Sequence, residues 1–393
     1  MTISTIAAKK SNKLSNILMY VFGILGIALV VVFGGELIRN FDRLKGHAGL
    51  TVEVVSGEAE VLIDGEPIGM TPLSTNEIKS GENTVTIKNA DRQYQTTIDF
   101  LPATKDTLHV VGIVRDLGIS ETFSSGQEFW FEKDTTGNVL KIISEPEGAM
   151  VHLDGSEVGK TPFTSNVISE GGYDIKISYP GYESQETRIK IQKGYTINGN
   201  VKLFPAAVAN TVEPFEDSPN LFDLSSDNPA LTSDTQTWAK AVTYWNQTRG
   251  INIKDVGTNK EIVFDYFIDY LGNIFDSEGN KISSSEELTS LGEVERGAYL
   301  GKSSLGEGLT TEAREALNSL LSAGLAVKQA TILSTPTGWL RVRDAPSLNG
   351  AEVTKVDVGK SFPVLEEASG WVKIKVNEST EGWVSNTYIT LSE

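Results

Sequence analysis

The stretch Leu14–Gly35, LSNILMYVFGILGIALVVVFGG, constrains this chain more than any other. It carries no charged residue across 22 positions. At ~1.5 Å per residue a helix of that length reaches ~33 Å, enough for a hydrocarbon core of ~30 Å. It predicts a transmembrane helix over residues 14–38, and with it a chain whose remainder is cargo tethered to one side of a membrane. A cleaved signal peptide is the alternative. Its apolar region runs only about 7 to 15 residues and ends at a small-residue cleavage site, where this chain has Glu36, Leu37 and Ile38.

The flanks leave the orientation balanced: Lys9, Lys10 and Lys13 precede the helix, and Arg39, Arg43 and Lys45 follow it. The tail, residues 1–13, contributes +3 to a net charge of −18, leaving −21 on the rest. A long acidic region translocates largely regardless of its charge, so the expectation is a single-pass plasma-membrane protein with a cytoplasmic N-terminus and its bulk outside. The absence of Cys excludes disulfide scaffolds, thiolate metal sites, cysteine nucleophiles and a lipid-anchoring cysteine. An acidic domain also argues against nucleic acid, which requires clustered Lys and Arg.

An internal repeat follows at an offset of 90 residues. Residues 61–72 read VLIDGEPIGMTP and residues 151–162 read VHLDGSEVGKTP. Asp64, Gly65, Gly69 and Pro72 recur as Asp154, Gly155, Gly159 and Pro162, and the register extends through Asn76, Ile78 and Gly81 to Asn166, Ile168 and Gly171. Asp-Gly suits both central positions of a type I′ hairpin turn, and Thr-Pro ends the ladder of the return strand. Alternating strands such as Ile175-Lys176-Ile177 and Val85-Thr86-Ile87 complete each copy. The pattern predicts two small β-sandwich-like units, residues 50–114 and 140–205.

The second copy, with SEPEGAMVHLDGSEVGKTPF at 144–163 and Pro180-Gly181-Tyr182 beyond it, resembles the PEGA domain, named for the tetrapeptide that stands here at 146–149. The first copy keeps Asp64-Gly65, Gly69 and Thr71-Pro72 but has Ser-Gly-Glu-Ala at 56–59 and Ala90-Asp91-Arg92 in place of Pro-Gly-Tyr, which marks it as divergent. The resemblance implies a microbial surface protein and no catalytic residues. Between the copies, the connector 115–139 holds Phe129-Trp130-Phe131, read as an extra strand or a plug rather than a binding patch.

Residues 206–234 are acidic, hold several prolines and contain no Lys or Arg, which predicts an extended linker. The next region, 235–325, reads as a small α+β unit of no recognised family. Ser233 or Asp234 can cap a helix with Trp238, Ala241, Val242 and Trp245 on one face, and Thr311 can cap another that ends at Gly324. Asp269-x-x-Gly-Asn and Asp276-x-x-Gly-Asn recur at seven residues as turns between short strands. Asp265 and Asp269 on one strand are ~13 Å apart at ~3.3 Å per residue, too far for a glycosidase pair, and read as solvated acids. RGAYLGKSS at 296–304 ends like a phosphate loop, but Arg296 stands where its first Gly belongs and no apolar strand is expected before it, so nucleotide binding is rejected.

The last segment, 326–393, carries three Gly-Trp pairs at strand starts, in GWLRVRDAPS, GWVKIKV and GWVSNTYI. It resembles the bacterial Src-homology-3-like barrel, with Arg341 in place of the usual Asn and Ala345 in place of the usual Gly. The resemblance implies binding of peptidoglycan, its peptides or a protein partner, with Trp339, Trp371, Trp383 and Tyr388 as candidate contacts. The histidines, His47, His109 and His152, have no spacing that favours a triad or a metal site.

The whole reads as mainly β: a transmembrane helix, two sandwich-like repeats, an α+β middle region and an SH3-like barrel. No enzyme, metal or cofactor is expected. The expected function is a membrane-anchored cell-envelope binding or scaffold protein. The alternatives are an envelope sensor or assembly subunit that binds a protein, and less favoured, a glycan-acting enzyme in residues 235–300.

Overall fold

The computed structural model describes residues 46–391 apart from 135–136, 217, 250–252, 292–293, 304–306, 323–327 and 378–379. The expected tail and transmembrane helix lie outside the described residues, and no described helix is long and apolar enough to cross a membrane. The chain divides into two compact units at Ala206/Ala207.

The first unit runs through β1 (His47–Val54), β2 (Glu60–Ile63), β3 (Glu66–Met70), β4 (Leu73–Lys79), β5 (Gly81–Lys88), β6 (Gln93–Phe100), β7 (Val110–Asp116) and β8 (Ser125–Lys133). It continues with β9 (Val139–Glu145), β10 (Met150–Leu153), β11 (Ser156–Lys160), β12 (Phe163–Ser165), β13 (Gly171–Ser178), β14 (Gln185–Ile191) and β15 (Tyr195–Lys202). Each repeat packs a four-stranded sheet, β3-β2-β5-β6 or β11-β10-β13-β14, over three strands of a second layer. The alternating residues read from the sequence, Val85 and Ile87 in the first copy and Ile175 and Ile177 in the second, fill the space between, joined by Leu50, Val61, Phe100 and Ile113 in the first copy and by Leu140, Val151, Ile191 and Val201 in the second.

The two three-stranded layers are not separate. They join through β8 into one seven-stranded sheet of order β12-β9-β15-β8-β7-β1-β4. β8 runs antiparallel to both β7 and β15, while β1 is parallel to β7 and β9 is parallel to β15. Outward from β8 the same strand order appears on both sides with the same directions, as a two-fold axis along β8 would produce. Such an axis exchanges the faces of the sheet, so the two four-stranded layers cover opposite faces.

The side chains of β8 follow suit, because successive residues of a strand point to opposite faces. Trp130 packs on the core of the first copy, and Phe129 and Phe131 pack on that of the second. Gln127 donates to the Glu186 carbonyl of β14, whereas Glu128 turns to β6. The aromatic run is thus an extra strand shared by two cores.

Glu128 is 2% exposed. Its carboxylate accepts from Tyr94 Oη at 2.7 Å, Thr96 Oγ1 at 3.2 Å and Asn200 Nδ2 at 3.0 Å, which ties β6 of one copy to β15 of the other. The buried Arg115 guanidinium lies over the Tyr94 ring, 3.6 Å from its centroid. Burial, then the Glu128 charge, pushes the Tyr94 hydroxyl well above its usual range, and burial lowers Arg115.

The repeated motif has a defined job in each copy. Asp64 and Gly65 have φ of 51° and 86°, and Asp154 and Gly155 have 46° and 81°, the left-handed pair that a type I′ turn requires. The Asp carboxylate also accepts a backbone N–H from the adjacent β5 or β13, Thr84 N or Asp174 N, at 2.8 Å in both copies. Gly69 and Gly159 leave room for Leu73 and Phe163, whose side chains a Cβ would meet within 2.9 Å. Thr71-Pro72 and Thr161-Pro162 are cis. The threonine hydroxyls accept from Ala59 N and Ala149 N at 2.9 and 3.0 Å, so the tetrapeptide is held by the Thr of the Thr-Pro pair.

The second unit begins at once with folded chain, where the sequence suggested a linker over 206–234. Ala207, Val212, Leu221, Phe222, Leu224 and Leu231 are buried. The segment supplies β16 (Thr211–Val212), β17 (Pro214–Phe215), β18 (Ser218–Asp223) and α1 (Pro229–Thr232). These scattered apolar residues, not the surrounding acids and prolines, decide its fate. They join α2 (Thr235–Arg249), β19 (Lys254–Asp255), β20 (Tyr266–Asp269), β21 (Ile274–Asp276), α3 (Ser285–Ser290), β22 (Gly297–Leu300) and α4 (Thr311–Ser322).

The sheet of this region has the order β17-β18-β22-β20-β21, with β18, β22 and β20 parallel. Its centre is therefore of the α/β kind rather than α+β. Asp234 caps α2 through Thr237 N, and Trp238, Ala241, Val242 and Trp245 are buried. α4 is capped by Thr310, not Thr311: the Thr310 hydroxyl accepts from Ala313 N and donates to the Tyr270 carbonyl. A fully buried strand, β22, does lead into the Gly-Lys-Ser segment, contrary to expectation, because GAYL lies in the middle of the sheet.

The chain ends with β23 (Gln329–Ile332), β24 (Trp339–Arg343), β25 (Glu352–Asp357), β26 (Ser361–Ala368), β27 (Trp371–Asn377), β28 (Thr380–Ser385) and β29 (Ile389–Leu391). They pair in the order β25-β24-β28-β27-β26-β23-β29 around a core of Ala330, Val342, Ile374 and Val384.

Candidate functional site

Alternation along β24 and β27 builds one face of the barrel. Leu340, Val342, Val372 and Ile374 point into the core, so Trp339, Arg341, Arg343, Trp371 and Lys373 point outward. The register aligns Arg343, Trp383 and Lys373 across β24, β28 and β27. Lys355 stands opposite Arg341 on β25.

The four aromatic candidates are not equivalent. Trp339 and Trp371 are half-buried, each with part of its ring open. Trp383 is only 7% exposed, and Tyr388 is 39% exposed in a short 3-10 turn after β28. Trp383 is therefore packed among its neighbours on this face and offers no open ring.

Two cations lie over the Trp339 ring. Lys355 Nζ lies 4.1 Å from the Trp339 centroid, and the Arg341 guanidinium 5.7 Å, both within cation–π range. Arg341 and Lys355 also pair with Glu352, Lys373 pairs with Glu381, and Arg343 Nη1 donates to the Gly350 carbonyl at 2.6 Å. The ion pairs are exposed on at least one partner, so each contributes little to stability and yields readily to another ligand. Residues 328–391 hold seven basic and seven acidic residues, which makes the barrel electrically neutral in a chain of −18.

The Gly-Trp pairs single out the tryptophans of this face and not its basic members. Their signal is in the sequence: WLRVR and WVKIK each place a tryptophan at i and cations at i+2 and i+4, the spacing of one strand face.

The acids weighed as catalytic are differently employed. Asp269 is fully buried, not solvated as expected. Its carboxylate accepts from Leu271 N, Asn273 N, Asn273 Nδ2 and Thr235 Oγ1, which satisfies it without water. Asp276 repeats the pattern with Glu278 N, Asn280 N and Asn280 Nδ2. Asp265 accepts from Glu295 N and Arg296 N. Among the described residues no group of His, Asp and Glu is arranged to hold a metal ion.

No curated protein and no solved structure matches the chain. Residues 48–107 and 138–207 match the PEGA domain family, and residues 336–390 match the bacterial SH3 domain family. The chain thus carries two PEGA domains, fused through a shared strand, and a C-terminal bacterial SH3 domain.

Proposed function

We propose that this is a single-pass, membrane-anchored, non-enzymatic protein of the cell envelope, whose barrel holds the cell wall through the face bearing Trp339 and Trp371. The anchor is Leu14–Gly35, and the PEGA pair serves as spacer. The observation that supports this reading best is the half-buried Trp339 ring lined by Arg341 and Lys355, with Trp371 and Lys373 turned outward on the same barrel. Rings of this kind stack on sugars, and displaceable cations meet the carboxylates of wall peptides. The commitment of Asp265 and Asp269 to backbone N–H groups supports a binding role over a hydrolytic one.

The test is sedimentation with purified peptidoglycan. The intact protein is expected in the pellet, and the Trp339→Ala/Trp371→Ala variant in the supernatant. If the intact protein stays in solution, the wall reading falls and a protein partner becomes the reading to pursue.

A further inference from the structure

We infer that the fused PEGA pair is a mechanical clamp, built to carry tension between its two ends along the strands of the seven-stranded sheet. The inference rests on the reading above only for the source of the tension, an anchored N-terminus and a held barrel.

The geometry comes from the two terminal strands. Chain enters the unit at the start of β1 and leaves at the end of β15. Both strands lie inside the same sheet, and they are parallel, since β1 is parallel to β7 and β8 runs antiparallel to both β7 and β15. A pull on the two ends therefore drags His47 and Lys202 in opposite directions along a common axis.

Neither strand is at an edge. β1 is flanked by β4 and β7, with Gly49–Val54 alongside Val110–Arg115. β15 is flanked by β8 and β9, with Tyr195–Lys202 alongside Gly126–Lys133. Inter-strand hydrogen bonds lie across the strand axis. Sliding a strand along that axis strains the whole row at once, whereas peeling it from one end loads a single pair at a time.

The ends are secured beyond the ladders. Ala48, Leu50 and Val52 are fully buried under the first four-stranded sheet. Past β15, Leu203 and Phe204 are buried, the Phe204 carbonyl accepts from Glu183 N, and Ala206 N donates to the Gly181 carbonyl. β8 completes the device, since without it the load would have no hydrogen-bonded path from β7 to β15.

The chain has no cysteine, so handles can be placed at will. Single-molecule pulling on the full chain in lipid nanodiscs would use cysteines added at the two termini, and in a second protein Lys133→Cys with Lys193→Cys. Lys133 and Lys193 are exposed and sit at the same end of the β8–β15 pair, so force applied there peels that ladder open. Unfolding of residues 46–206 is recognised by extension steps that together approach ~560 Å less the folded span, at ~3.5 Å per residue. With terminal handles those steps are expected at a force at least ~2-fold higher than that which opens the 133/193 pair at equal loading rate. Equal or lower force with terminal handles overturns the clamp, and leaves the outcome of peptidoglycan sedimentation untouched.

Discussion

Replacing Glu128 with Ala is expected to destabilise both PEGA domains, although the residue belongs to neither repeat. The substitution removes the acceptor of Tyr94 Oη, Thr96 Oγ1 and Asn200 Nδ2. A buried donor left unsatisfied costs ~1–3 kcal/mol, and the buried Arg115 loses one of the negative charges around it while Glu121 and Asp116 remain. Tyr94 and Thr96 are only half-buried and relax toward water, and Arg115 keeps the Tyr94 ring. These effects share one network and do not add, so the net is ~3 kcal/mol, or ~8 °C in Tm for a unit of this size. Hydrogen exchange resolves where the loss falls. Protection should drop together in β5 of the first copy and β13 of the second, because Glu128 joins Tyr94 of one to Asn200 of the other. A loss under ~1 kcal/mol, or one confined to the first copy, would refute the shared-strand account.

Thr71→Val and Thr161→Val each remove the acceptor of a buried alanine N–H and should each cost ~1–2 kcal/mol by urea denaturation; a difference between them above ~1 kcal/mol would mean that the motif does not act alike in the two copies. Asp269→Asn replaces one acceptor oxygen with a donor that faces Thr235 Oγ1 or Asn273 Nδ2, and should cost ~2 kcal/mol, whereas an unchanged melting curve would contradict its buried role. His109, packed on Tyr195 and Phe131 with Nε2 unpartnered, is held below its ordinary value of 6.5 by burial. The unfolded chain then protonates first, so its contribution to stability is present above pH ~6.5 and is lost as pH falls through the lowered value. Melting between pH 7.5 and 5 should show that loss, and His109→Gln should reduce it; an unchanged slope in the variant would assign the effect elsewhere.

Local signals carried much of the fold. The Asp-Gly turns, the alternating strands and the Trp238–Trp245 face are each decided within a few residues, and each is where the pattern put it. Phe129-Trp130-Phe131 was legible as a strand, but where successive residues serve different cores the period-two alternation disappears, so the sequence conceals that it is shared. The segment 206–234 misled because composition averages over Leu221, Phe222 and Leu224, which a parallel neighbour, β22, recruits from about 75 residues away. Asp269 misled for the opposite reason: a charge usually marks solvent, but a turn that turns its N–H groups inward can satisfy a carboxylate in the core. On the barrel, the tryptophans drew attention and the cations at i+2 and i+4 did not, because their importance depends on lying beside a ring rather than on their identity.

The binding claim is tested most directly by the indole N–H signals of the six tryptophans, observed by NMR while soluble peptidoglycan fragments are added. Trp130, Trp238 and Trp245 lie outside the barrel and serve as internal controls. The expected result is movement of the Trp339 and Trp371 signals, with the controls still. Fragments that leave Trp339 and Trp371 unmoved at saturating concentration would contradict the proposal that this face of the barrel holds the wall.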